Sequence, residues 1–203
     1  MGGIEDLPRK ERTSLGALSD FDLTRIISDF GCRFLVETGT GEGVGIEFAG
    51  KAPFEQVFSI EKSHALAIKV AFRNARNQKM TIILGRSERG LKEALAEIPA
   101  EAPVIFWMDT HPTFETDLLP SPLERELRLI ARLRDISRDI FLVDDLRLYE
   151  DGAFEEGPCP TAEKAPAPYR NLDFVEDILG TTHQVNRLIQ RTGYLCAFPI
   201  NRA

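Results

Sequence analysis

The chain has 203 residues, is 43% hydrophobic, and carries 25 Lys+Arg against 32 Asp+Glu, a net charge of -7. That length suits one substantial core rather than two, and an acidic chain with no basic block argues against nucleic acid or an anionic membrane as partner. Cys32, Cys159 and Cys196 are scattered, with no CxxC or Cys/His cluster. They read as free thiols of a reducing compartment. The start, MGGIEDLPRKERTS, lacks the apolar centre of a signal peptide, and no run approaches the roughly 18 apolar residues of a membrane span. A cytoplasmic protein is the expectation.

Residues 1–18 read as a polar N-terminal segment and 19–203 as a single domain. In SDFDLTRIISDFG, Leu23, Ile26, Ile27 and Phe30 recur at helical spacing and the pattern stops at Gly31. RFLVETG follows, apolar on both faces, and predicts a buried central strand. Strand and helix then alternate. QVFSIE precedes the helical SHALAIKVAFRNAR. MTIILG precedes SERGLKEALAEI, with Leu91, Leu95 and Ile98 on one side. PVIFWMD precedes a helix with Ser121 at the N-cap, Pro122 at its first position and Glu124 completing a capping box. DIFLVDD is a fifth strand.

This alternation predicts an α/β, Rossmann-like, doubly wound and mostly parallel sheet with helices on both faces. NLDFVEDILG then forms a short helix closed by Gly180, and HQVNRLIQ and GYLCAFPI suit a C-terminal antiparallel hairpin, for seven strands in all. Between the fifth strand and that helix lies a proline-rich loop, 153–170, which is either a lid over a site or an insertion without fixed structure.

The stretch VETGTGEGVG, straight after the first strand, places Gly39, Gly41, Gly43 and Gly45 at alternate positions. Such a turn lets backbone N–H groups approach a ligand closely. It is not the G-x-G-x-x-G of dinucleotide binders, because residue 44 is valine, and no G-x-x-x-x-G-K-[ST] occurs. Its E-x-G-x-G-x-G pattern resembles the class I S-adenosylmethionine-dependent methyltransferases. The resemblance implies that Glu37 lies near the cofactor's amino group, that Thr38, Gly39, Gly41 and Gly43 shape its cradle, and that Glu61, in FSIEK, holds the ribose hydroxyls. A carboxylate is suited to that role because it accepts two hydroxyl protons. Asp109 falls at the cofactor's edge. Related enzymes often carry an acid after the third strand, where this chain reads Gly85-Arg86-Ser87. Ser87 there either contacts the adenine or caps the following helix.

FWMDTHP, SPLERELRLI and IFLVDDLRLYEDG are similar to the subgroup containing macrocin O-methyltransferase, and the resemblance extends over residues 34 to 152. It implies Mg²⁺ held by Asp109, Asp144 and Asp145. Chemistry agrees: neighbouring parallel strands open on the same side, and converging hard carboxylates suit a hard cation. Alternatively Asp144 and Asp145 are loop acids, one capping a turn and one paired with Arg147. With the metal, an acceptor hydroxyl is acidified, and His111, two residues past Asp109, is the candidate general base. Its plainer role is a loop histidine before a proline. Trp107 reads as core. The expected activity is Mg-assisted O-methylation of a small hydroxylated molecule. A metal-independent N- or protein methyltransferase, or a non-catalytic cofactor-binding domain, is the alternative. A homodimer would help so short a chain close its site.

Overall fold

The computed structural model describes residues 17–110, 120–160 and 170–201. Its strands are β1 (Phe34–Thr38), β2 (Gln56–Glu61), β3 (Met80–Leu84), β4 (Val104–Met108), β5 (Ile140–Val143), β6 (His183–Leu188) and β7 (Tyr194–Pro199). They form one sheet in the order β3-β2-β1-β4-β5-β7-β6. The first five are mutually parallel, and β7 runs antiparallel to both β5 and β6. The expected doubly wound sheet and terminal hairpin are both present. Its helices are α1 (Leu23–Phe30), α2 (Val44–Ala49), α3 (His64–Arg73), α4 (Ser87–Ala96), α5 (Pro122–Leu133) and α6 (Asp173–Leu179).

Strand side chains alternate between the two faces, which divides the core. Phe34 and Val36 of β1, Val104, Phe106 and Met108 of β4, and Phe141 and Val143 of β5 pack with α4, α5 and α6. Leu35, Ile105, Trp107, Ile140 and Leu142 pack instead with α1 and α2. The same alternation sends Glu37 and Thr38, neighbours in sequence, to opposite faces. Trp107 is core as expected, 1% exposed, with Phe21 edge-on at 6.0 Å. Burying a side chain of this size contributes roughly 3 kcal/mol at most.

The helix ends follow their sequence signals with two exceptions. Asp22 accepts from the Arg25 N–H at 3.0 Å, and Gly31 closes α1 in the left-handed region. Ser121 accepts from the Glu124 N–H at 3.2 Å with Pro122 behind it. The capping box is only half made, however, because the Glu124 carboxylate takes Arg128 at 2.8 Å. The second exception is Ser87: Arg86 occupies the N-cap of α4, so Ser87 is the first helical residue and not a cap. Before α1, a 3₁₀ turn at Leu18–Asp20 is tied to β7, since the Tyr194 hydroxyl donates to Asp20 at 2.7 Å and accepts from the Ala17 N–H at 3.1 Å. Cys32 and Cys196 are buried and Cys159 half-buried, and none of the three is in a disulfide. Among the described residues no helix is long and apolar enough to cross a membrane.

Candidate functional site

β1 and β4 are adjacent, and their sequence-distant crossovers leave in opposite directions. This is the point in a doubly wound sheet where a crevice opens beyond the carboxyl ends of the strands. The glycine turn lies there. Gly39, Gly41 and Gly43 all have positive φ, which a residue with a Cβ adopts only at a cost. Gly39 also has no room: a Cβ would overlap the Asp109 carbonyl oxygen, so glycine at 39 is what lets the ends of β1 and β4 close together. At Gly41, by contrast, the space a Cβ would enter is open.

Glu61 ends β2 beside this turn. One carboxylate oxygen accepts the Gly41 N–H at 2.9 Å and the other the Ser63 N–H at 2.7 Å. It thus fixes the glycine turn and the entry to α3, where Ser63 accepts from the Leu66 N–H at 3.4 Å. Each oxygen retains a further lone pair for a ligand hydroxyl.

Glu37 ends inside the fold. It is 1% exposed, and its carboxylate accepts the Ser59 hydroxyl and the Ile46 N–H beneath the turn. Ser59 stands opposite Glu37 in the β1–β2 register, and its hydroxyl also lies 2.6 Å from that of Thr40. Burial pushes the Glu37 pKa up to about 8, against the Ser59 hydrogen bond, and the nearby Glu61 pushes the same way as burial. Its carboxylate is held beneath the turn by the Ser59 hydroxyl and the Ile46 N–H.

Thr38 and Ser87 likewise turn inward, and they meet at a residue the sequence reading missed. Glu126, on α5, is fully buried, and its Oε2 accepts the Thr38 hydroxyl at 3.0 Å. Burial raises its pKa to about 7, while the Ser87, Thr38 and Thr110 hydroxyls pull it back and Glu88 pushes it further up. The other oxygen, Oε1, and the Thr110 hydroxyl are both buried without a hydrogen-bond partner. A signal for Glu126 does exist in the sequence. It sits at the i+3 position of the apolar stripe Leu123, Leu127, Ile130, where an acid is out of place unless it has partners inside.

Asp109, Glu126, Asp144 and Tyr149 line one narrow cleft under the ends of β4 and β5. Burial raises the Tyr149 pKa, and the acids Glu126, Asp145 and Asp109 raise it further. The expected metal triad does not assemble: no group of three His, Cys, Asp or Glu among the described residues is placed to hold an ion. Asp144 Oδ1 accepts the Asp145 N–H at 2.7 Å and the Thr192 hydroxyl at 3.3 Å, making it a turn-forming acid. That turn puts Asp145 in the left-handed region and swings it out of the cleft's lining toward Arg147, 3.8 Å away. Asp109 and Asp144 thus share the cleft, and the third expected carboxylate stands apart from them. His111 lies outside the described residues. His64 is exposed at the start of α3, and His183 is buried against the Asp139 carbonyl at 2.9 Å.

No protein-family model matches the chain, and no curated protein does. Solved structures share the fold. A provisionally named caffeoyl-CoA O-methyltransferase from Staphylococcus aureus superposes with a TM-score of 0.62 at 13% identity, over 97% of this chain and 87% of that one. An O-methyltransferase from Bacillus cereus in complex with S-adenosylhomocysteine gives 0.58 at 11%, over 87% and 78%. The S-adenosylhomocysteine-bound methyltransferase from Podospora anserina gives 0.56 at 15%, over 88% and 76%. At these identities the likeness is one of fold.

Proposed function

We propose that this chain is an S-adenosylmethionine-dependent methyltransferase acting on a hydroxyl of a small molecule. The observation that carries the proposal is Glu61, a carboxylate locked by the Gly41 N–H at the rim of an open glycine turn, at the sheet's switch point. Two of the fold's relatives hold S-adenosylhomocysteine, which is consistent with that placement. S-adenosylmethionine supplies a methyl group already activated on a sulfonium sulfur, so the chain has to bind, align and deprotonate rather than activate.

In this reading Glu61 takes the two ribose hydroxyls on its remaining lone pairs, and the Gly39–Asp109 approach keeps the reacting end of the site at β4. The acceptor oxygen would be held at the cleft of Asp109 and Asp144, and its proton would pass to His111 as the methyl–oxygen bond forms and the methyl–sulfur bond breaks, leaving neutral S-adenosylhomocysteine. No step is assigned to magnesium, because Asp144 serves its own turn and Asp145 is paired with Arg147. Calorimetric titration of S-adenosylhomocysteine, with NAD as control, tests the proposal. Micromolar binding of the homocysteine compound alone is expected; binding of NAD instead, or of neither, would reject it.

A further inference from the structure

We infer that Glu126 is a positioning residue of the cofactor site, holding from below the three chain segments that border it. The inference rests on the methyltransferase reading. Glu126 comes from α5, far in sequence from the glycine turn, yet its carboxyl lies where three separate segments end or begin. Thr38 closes β1 immediately before Gly39; Ser87 opens α4; Thr110 follows Asp109 at the end of β4. The Thr38 hydroxyl donates to this carboxyl at 3.0 Å, and the Ser87 and Thr110 hydroxyls lie near enough to it to lower its pKa.

The arrangement costs the protein something. A fully buried acid on an otherwise apolar helix stripe can be exchanged for apolar groups without loss only if its polar partners go with it, and here leucine alone would leave the Thr38 hydroxyl without its acceptor. Nor is the network closed, since Glu126 Oε1 and Thr110 Oγ1 are both left without a hydrogen bond. Two adjacent buried orphans are unusual in a purely structural network, where such groups are normally paired. A small movement of the β4 end would pair them. The carboxyl is therefore placed to link the position of Thr110, beside Asp109, to that of Thr38, beside Gly39. Its function is to set the spacing of the two walls between which the cofactor lies.

The test separates this role from stability. Glu126→Gln retains acceptor and donor; Glu126→Leu retains volume alone. For each, the S-adenosylhomocysteine Kd is measured by calorimetry and the unfolding midpoint by differential scanning fluorimetry. Glu126→Leu is expected to lower the midpoint by several degrees while staying folded at room temperature, and to raise Kd about tenfold, with Glu126→Gln rescuing most of the affinity. Thr38→Val, which removes one donor and leaves the carboxyl in place, supplies the test if Glu126→Leu does not fold, and is expected to raise Kd severalfold. Wild-type affinity in Glu126→Leu, or in Thr38→Val, would overturn the inference, as would a Glu126→Gln variant no better than the leucine one. A wild-type protein that binds no S-adenosylhomocysteine overturns the methyltransferase reading itself, and this inference with it.

Discussion

Glu37 and Gly45 interlock: the carboxylate occupies the space in which a Cβ at position 45 would lie. This reverses the usual rule for a glycine inside a helix. Elsewhere in a helix, glycine to alanine stabilises by roughly 0.5–1 kcal/mol. Within α2, Gly45→Ala must displace a buried carboxylate that holds Ser59 and the Ile46 N–H, so a loss of about 1–3 kcal/mol is expected. Urea denaturation measures it, with Gly85→Ala, where the nearest atom to the new methyl is 3.8 Å away, as the near-neutral control. Equal effects at the two positions would contradict the interlock.

Glu61 supports the glycine turn and, in the proposed function, the ribose. Glu61→Ala removes both acceptors, so S-adenosylhomocysteine affinity is expected to fall by about tenfold or more. Glu61→Gln keeps one acceptor oxygen and is expected to lie between. Unchanged calorimetric affinity in Glu61→Ala would remove the ribose role.

The separation of Asp145 from Asp109 and Asp144 gives a direct expectation for metal. Titration of MgCl2 into the protein, with and without S-adenosylhomocysteine, should show no saturable heat. Asp144→Asn and Asp145→Asn keep the oxygens the turn uses, and neither is expected to alter S-adenosylhomocysteine affinity. A saturable magnesium heat that either variant abolishes would restore the metal site.

Two buried carboxyls make stability depend on pH in the sense opposite to ordinary acid denaturation. Glu37 and Glu126 have their folded pKa values raised, mainly by burial, from 4.5 to about 8 and about 7. Across that window the folded protein holds protons the unfolded chain has released. Their contribution is therefore complete below about pH 4.5 and is lost as pH rises through about 7 and 8. The unfolding midpoint should fall between about pH 5 and about pH 8, and Glu126→Gln should remove part of the slope. A midpoint that rises steadily over this range would refute it.

The strands were readable because a parallel sheet covered on both faces demands apolar runs, and VIFWM and IFLV are unbroken ones while FLVET and QVFSIE are β-rich with polar residues at their ends or middle, all with turn residues between them. Helix stops at Gly31 and starts at Ser121 were equally local, each decided within four residues. The capping box failed at Glu124 for a reason that sequence spacing does not carry: Arg128, one turn on, competes for the same carboxylate.

The site divides in the same way. Local sequence determined that a glycine turn follows β1 and that an acid ends β2, since backbone geometry permits few residues at those points. Which way each acid points was decided by tertiary structure. Alternation along β1 put Glu37 and Thr38 on opposite faces, but only packing decided that Ser59 meets one and Glu126 the other, across separations of 22 and 88 residues. Asp144 and Asp145 look interchangeable in sequence; a left-handed backbone at 145 assigns one to Thr192 and the other to Arg147. A side chain's chemistry is written in its residue type, whereas its partner is set by whichever distant segment the fold brings within hydrogen-bonding reach.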